Sequence, residues 1–254
     1  MSAEAVAQYW SDVIFPDSSE ESYSASFPFA QSRLFYVMET IAQFLKLNDS
    51  SNLSWSDFAT GEGVLLKLIR LHYPSIKLFG TEHSIKLVDS LRALDFNVKN
   101  MALGESQNRE QLGDFDISTL TWTLANSIDP VALLSDVVKN TKIGGIVCIA
   151  ESSRVLVPIR KSLNDYFSKT MPADLHPSNF SVNTLRCLMQ ICGLEISYVN
   201  RYFDSDVLLV IGRKTGNLHR PTFYDSSKMV YTFFRKWAEA SIYYESLREN
   251  VFRN

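Results

Sequence analysis

Leu53-Ser54-Trp55-Ser56-Asp57-Phe58-Ala59-Thr60-Gly61-Glu62-Gly63, followed by Val64-Leu65-Leu66-Lys67-Leu68-Ile69-Arg70-Leu71, reads as a strand, a tight glycine turn and a helix. Gly61 and Gly63 tolerate the positive φ that such a turn needs and let the backbone come close to a ligand. The helix behind them directs its unsatisfied first-turn N–H groups at the same spot. Asp57 falls at the carboxyl end of the strand, the edge where open α/β sheets bind ligands, so its carboxylate is placed to accept hydrogen bonds from a cationic or hydroxyl-rich cofactor. Together these features describe a nucleotide-type site, against the plainer reading of a glycine turn that only joins strand to helix. Two phosphate-binding patterns fit poorly. A dinucleotide fingerprint wants a third glycine where Leu66 stands, and a P-loop wants Gly-Lys-Ser/Thr where Gly63-Val64-Leu65 stands.

The pattern repeats downstream. Ser75 to Glu82 is a short strand ending in an acid, and Ile85 to Leu94 is the next helix. Glu82 lies about 20 residues beyond the glycine loop, the spacing at which a carboxylate takes both ribose hydroxyls. Phe96–Asn100 reads as a third strand and Asp114–Leu124 as a fourth, and Asp129-Pro130 opens a helix with proline in its first turn. Ile143-Gly144-Gly145 reads as a turn before a nearly unbroken apolar strand, Ile146–Glu151, the composition of a parallel strand covered on both faces. Ser181 caps a helix over Val182–Cys192 and Gly193 stops it. The two strands that follow, Leu194–Tyr202 and Val207–Gly212, are joined only by Phe203-Asp204-Ser205-Asp206. So short a link excludes a parallel crossover and demands an antiparallel hairpin. The expected fold is therefore α/β: a doubly wound seven-stranded sheet, mostly parallel, with one antiparallel strand in a C-terminal hairpin.

Helical extensions are expected at both ends, giving an N-terminal segment 1–50, a central domain 51–214 and a C-terminal segment 215–254. Ala3–Val13 and Arg33–Leu47 read as helices, the latter with Leu34, Val37, Met38, Ile41, Phe44 and Leu45 spaced at three and four. Tyr23, Phe27, Pro28, Phe29 and Phe35 form an aromatic cluster that either packs on the core or faces an acceptor. Lys228–Phe252 is one long helix whose stripe, including Val230, Phe233, Phe234, Trp237, Ile242 and Tyr243, serves packing or the seam of a homodimer, or else lets Trp237, Tyr243 and Tyr244 stack on a sugar.

Composition excludes other classes. Hydrophobic residues at 46% and charged residues at 21% are those of a soluble globular chain, and no apolar run approaches the roughly 18 residues of a membrane span. The N-terminus lacks a basic region followed by an apolar one, so a cytoplasmic protein is expected. A net charge of −3 without a dense basic stretch argues against nucleic acid as partner. Cys148, Cys187 and Cys192 show no metal-ligand spacing and sit in apolar runs, so buried thiols and no metal are expected.

Asp57-Phe-Ala-Thr-Gly-Glu-Gly63 resembles the Asp-x-Gly-x-Gly-x-Gly cofactor loop of class I S-adenosylmethionine-dependent methyltransferases, with Ala59 in place of the first glycine. Alanine is tolerated there if its φ is negative, although its methyl group narrows the path of the cofactor's methionine tail. The resemblance covers about residues 53–213, and the terminal hairpin favours it over a nicotinamide-dependent oxidoreductase. It implies S-adenosylmethionine as cofactor, held by Asp57, Ala59, Thr60, Gly61, Gly63, Glu82 and His83. Asn100, or the backbone around Ala102 and Leu103 after the third strand, would flank the adenine where the family often has an acid, and Thr121 and Trp122 would back the methionine part. Where many relatives have Glu-His after the fourth strand, this chain has Ala125-Asn126, which removes that base. His176 stands in Asp174-Leu-His-Pro-Ser-Asn-Phe-Ser181, similar to a His-x-x-x-Phe-Ser element of bacterial methyltransferases acting on sugars and small metabolites. It either deprotonates an acceptor hydroxyl or only hydrogen-bonds its loop. Arg154, Arg160 and Tyr166, in the insertion after the fifth strand, are the candidates for gripping the acceptor. The implied activity is O-methylation of a small metabolite or sugar. The rival is a degenerate fold kept as a binding module, which Ala59 and the missing base encourage.

Overall fold

A computed structural model describes residues 28–104, 111–152, 155–156, 163, 176–203, 205–217 and 220–252. The expected helix over residues 3–13 lies outside them, as do residues 23–27 of the aromatic cluster. In chain order the elements are α1 Pro28–Leu45, β1 Ser54–Phe58, α2 Val64–His72, β2 Lys77–Glu82, α3 Ile85–Arg92, β3 Val98–Asn100, β4 Phe115–Thr121, a 3-10 turn Leu124–Asn126, α4 Pro130–Lys139, β5 Thr141–Glu151, α5 Val182–Ile191, β6 Leu194–Val199, β7 Leu208–Lys214 and α6 Ser227–Phe252.

The seven strands form one sheet in the order β3-β2-β1-β4-β5-β7-β6. β1 pairs in parallel with β2 and β4, β2 with β3, and β4 with β5, whereas β7 runs antiparallel to both β5 and β6. The order reverses between β1 and β4, and at such a switch point the loops leaving the carboxyl ends diverge and open a crevice.

Each face of the sheet is closed by apolar helix stripes, the one on α1 at the spacing read from the sequence. Val37, Met38 and Ile41 of α1 join Leu65 and Ile69 of α2 over Trp55, Ile117, Cys148, Leu209 and Ile211. On the opposite face Leu133, Leu134 and Val137 of α4 and Leu185 and Met189 of α5 cover Leu120, Val147, Ile149 and Val210. Alternate residues of β5 thus enter different cores, which explains why that strand is apolar on both sides. Ser181 caps α5 with a reciprocal Thr184 capping box.

Several expectations need correction. Ile143-Gly144-Gly145 is not a turn before β5 but a bulge inside it: Phe115 pairs with Thr141 and Ile117 with Ile146, so extra residues loop out of an otherwise continuous ladder. Leu66, standing where a dinucleotide fingerprint has its third glycine, packs on the sheet because the close approach is provided from the other side. A Cβ on Gly80 would lie 3.1 Å from Leu66 Cδ1 and 3.2 Å from Val98 Cγ2, so the missing methyl of Gly80 makes the room that Leu66 fills. Of the three thiols only Cys148 is fully buried; Cys187 and Cys192 are half-buried. In the α6 stripe Trp237 is buried, while Ile242 and Tyr243 are 69% and 61% exposed, so the stripe is not one packing face.

Candidate functional site

The β1–α2 loop is laced to the end of the neighbouring strand. Ala59 N donates to Thr81 Oγ1 at 3.1 Å, Thr60 N to the Thr81 carbonyl at 2.8 Å, and Gly61 N to Glu82 Oε2 at 2.9 Å. Ala59, Gly61 and Gly63 all have left-handed backbones, with φ of 56°, 55° and 68°. The first of these overturns the premise on which alanine was tolerable there: φ is positive, and the side chain carries the steric cost of the left-handed region. Gly63 is required on two counts, its φ and its neighbour, since an added Cβ would sit 2.4 Å from Leu91 Cδ2 of α3.

Glu82 is almost fully buried, and its second oxygen, Oε1, accepts from Ser84 N at 2.9 Å. A carboxylate offers about four lone-pair sites, so these two backbone donors orient it and leave acceptor capacity for a diol. His83, beside it, contributes its carbonyl to Asn100 Nδ2 at 2.6 Å. That amide also reaches the Glu82 carbonyl at 3.2 Å, which ties Asn100 to the backbone. Ala102 is buried and Leu103 half-buried in the loop after β3, which continues into Gly104, whose N–H donates to Asp136 Oδ2 at 2.9 Å.

Asp57 lies beneath the loop and is 2% exposed. Thr119 Oγ1 donates to Oδ1 at 2.7 Å and Thr60 Oγ1 to Oδ2 at 2.8 Å; Trp55 Nε1 donates in turn to Thr119 at 3.1 Å. Burial pushes the carboxyl up to about 6; the Thr119 and Thr60 hydroxyls pull it down and the charge of Glu82 pushes it further up. It is thus a carboxylate short of a cation, and a positively charged group brought to the loop would favour its ionised form.

A second constellation stands at the ends of β4 and β5. Trp122 N closes the ladder by donating to the Ala150 carbonyl at 2.8 Å, and there the chain turns out of the sheet through a left-handed residue, φ 51° at Trp122, an outlier for so bulky a side chain. Thr121 ends β4, and its carbonyl accepts from Thr123 Oγ1 at 2.9 Å. The Trp122 ring packs on the α1–α2 side, and its Nε1 is buried without a hydrogen-bond partner among the described residues. The 3-10 turn that follows gathers residues from far along the chain. Ala125 N donates to Glu151 Oε1 at 3.2 Å, the Ala125 carbonyl accepts from Ser178 N at 3.2 Å, and Asn126 Oδ1 lies 2.6 Å from His176 Nδ1. Glu151, 1% exposed, is pushed up to about 8 by burial, against the N–H groups of Ala125, Leu124 and Thr123 that favour its charge.

The structure therefore brings Asp57, Ala59, Thr60, Gly61, Gly63 and Glu82 together around one laced loop, with Thr121 at the end of the adjoining strand β4 and Trp122 just beyond it. His176 stands at the turn after β4. Arg154, Arg160 and Tyr166 lie outside the described residues. Two members of the second constellation were not singled out by sequence. Asn126 registered only as a missing histidine and Glu151 only as the last residue of an apolar strand, although an acid ending such a strand at the ligand-binding edge is itself a signal.

No curated protein sequence matches the chain. A model of the ubiE/COQ5 methyltransferase family matches residues 87–175. Among solved structures, an S-adenosylmethionine-dependent methyltransferase from Mesorhizobium loti is similar with a TM-score of 0.52 and 16% identity, over 71% of this chain and 99% of that one. One from Aquifex aeolicus gives 0.50 and 13%, over 72% and 98%. The [4+2]-cyclase SpnF gives 0.57 and 14%, over 84% and 97%. At such identities the likeness is one of architecture: the chain has the Rossmann-like methyltransferase fold, a mostly parallel seven-stranded sheet completed by an antiparallel hairpin.

Proposed function

We propose that the protein is an S-adenosylmethionine-dependent methyltransferase acting on a hydroxyl of a small metabolite or sugar. The observation that carries the cofactor assignment is the Gly61 N–H to Glu82 bond, which fixes a buried carboxylate beside a left-handed glycine loop and leaves acceptor sites for a ribose diol. Asp57 adds a carboxylate that gains from a nearby cation. When bound, S-adenosylmethionine supplies a methyl carbon on a sulfonium sulfur that departs with the bonding pair as a neutral thioether. The chain's own part is then to align the acceptor oxygen in line with that carbon and to take its proton. His176 fits the second task, since imidazole titrates near neutrality and its Nδ1 is already engaged by Asn126. Arg154, Arg160 and Tyr166 follow β5 in sequence and are the candidates for holding an anionic or hydroxylated acceptor.

A binding module on a degenerate fold is the second reading, favoured by the strained Ala59 in the loop. The fold does not decide between them, because SpnF, a [4+2]-cyclase by description, has it too. Calorimetry with S-adenosylmethionine, followed by incubation of labelled cofactor with a metabolite extract, separates the readings. Binding with transferred label is the expected result; binding without transfer to any acceptor supports the module, and no binding sinks both assignments of the loop. His176→Ala is expected to retain cofactor affinity and to lose roughly 10²–10⁴ in turnover.

A further inference from the structure

The Asn126–His176 contact decides which imidazole nitrogen holds the lone pair. Asn126 Nδ2 lies 3.2 Å from the Trp122 carbonyl, and a carbonyl only accepts, so the amide's NH2 must face it. Its Oδ1, equally confined to accepting, is then the atom 2.6 Å from His176 Nδ1. The proton between them belongs to Nδ1, and in the neutral ring the basic lone pair is at Nε2. The remaining geometry is rigid. Asn126 N donates to the Thr123 carbonyl at 3.0 Å within the 3-10 turn, and Ser178 N to the Ala125 carbonyl at 3.2 Å, so the histidine segment is pinned to the same turn on both sides of Pro177. Pro177 restricts its own φ and biases His176 to extended backbone, which limits the directions the ring can take. Behind the turn, Trp122 is held in a left-handed conformation costly for its size, and strain of this kind persists where the surroundings over-determine a functional geometry.

Building on the reading of His176 as the proton acceptor, we propose that Asn126 is a positioning residue that locks His176 in the Nδ1–H tautomer and so assigns base duty to Nε2. A side chain of the turn after β4 thus orients a histidine delivered from 50 residues downstream. An amide suits this task, because it accepts the Nδ1 proton without placing a charge of its own in the half-buried turn.

Long-range ¹H–¹⁵N correlation spectra of histidine-labelled protein report the tautomer directly, and with four histidines in the chain the His176 signals are assigned from His176→Gln. The expected spectrum of the parent protein shows a pyrrole-type Nδ1 and a pyridine-type Nε2. Asn126→Leu should move His176 toward the Nε2–H form that free imidazole prefers, whereas Asn126→Asp should keep Nδ1–H and shows that the site tolerates substitution. On a methyl acceptor, Asn126→Leu should lower kcat by up to the roughly 10²–10⁴ of a positioned base, at unchanged cofactor affinity, and Asn126→Asp should recover most of it. An Nε2–H tautomer in the parent, a tautomer indifferent to Asn126→Leu, or a shifted tautomer with undiminished kcat would each overturn the proposal. Because the spectrum is read without turnover, the absence of methyl transfer would fell the functional reading while the tautomer assignment is judged on its own.

Discussion

The β1–α2 loop and the turn after β4 sit at the carboxyl edge of neighbouring strands, and each leaves the sheet through a left-handed residue that is not glycine, Ala59 in one and Trp122 in the other. They are held differently. The loop is tied to Thr81 and Glu82, on the very next strand and 22 and 21 residues from their partners Ala59 and Gly61. The turn is tied to Glu151 and His176, 26 and 50 residues away from their partners. The backbone lacing of the loop is thus a property of one β-α-β unit, with only the Asp57 carboxylate beneath it reaching across to Thr119 of β4. The second half of the site exists only once β5 and the segment before α5 have come together, and it buries a carboxyl whose charge is costly there.

That cost is the largest lever on the comparison. Glu151 has its carboxyl pushed up to about 8 in the fold, against 4.5 for the unperturbed group. A group raised in this way contributes stability that is complete below the unfolded pKa and is lost as pH rises through the folded one. Between pH 6 and pH 8 the parent protein should therefore lose roughly 2–3 kcal/mol through this group, at about 1.36 kcal/mol per pH unit. Glu151→Gln keeps an acceptor for the Ala125 N–H and removes the titration, so its denaturant-derived stability should be flatter over that range. Equal slopes in parent and variant would show that the turn does not carry a neutral acid.

A smaller effect tests the laced loop. Glu82→Ala deletes the group that accepts from Gly61 N and Ser84 N and, on the proposed reading, the ribose diol as well. Losing charge-assisted hydrogen bonds of this kind should weaken S-adenosylmethionine binding by about 1.5–3 kcal/mol. Turnover at saturating cofactor should change much less, because the groups at the turn after β4 are untouched. A variant that binds normally but turns over slowly would reverse the division of labour between the two halves.

The same contrast explains what the sequence made legible. Strand and helix periodicities, the short hairpin link and the acid at the end of β2 are local signals, and the mostly parallel sheet with its terminal antiparallel hairpin follows from them, although the link spans eight residues between Val199 and Leu208 rather than the four read from the sequence. The bulge in β5 was hidden because Gly144-Gly145 serves a turn and a bulge equally well. Asn126 and Glu151 were hidden for a different reason: what matters is their partners, and no pattern of spacing announces a contact across 50 residues. On α6, helical spacing identified the stripe but could not say that Ile242 and Tyr243 face outward, since that depends on what the helix rests against.

Ala59 offers the finest test, because here the local signal was read and its consequence misjudged. The residue holds φ at 56°, where an L side chain pays about 1–2 kcal/mol that glycine does not. Ala59→Gly removes this cost but returns roughly 0.5–1 kcal/mol to the unfolded chain as backbone freedom. The expected net is a stabilisation of at most about 1 kcal/mol, read as a rise in the denaturant midpoint with an unchanged m-value. The substitution also takes a methyl group from the loop without touching its N–H, which continues to donate to Thr81 Oγ1. If the methionine tail of the cofactor passes over this residue, calorimetry should show equal or tighter S-adenosylmethionine binding in Ala59→Gly. Weaker binding would mean that the Ala59 methyl is itself part of the contact surface, and that the β1–α2 loop is shaped for a ligand lying differently from the one proposed.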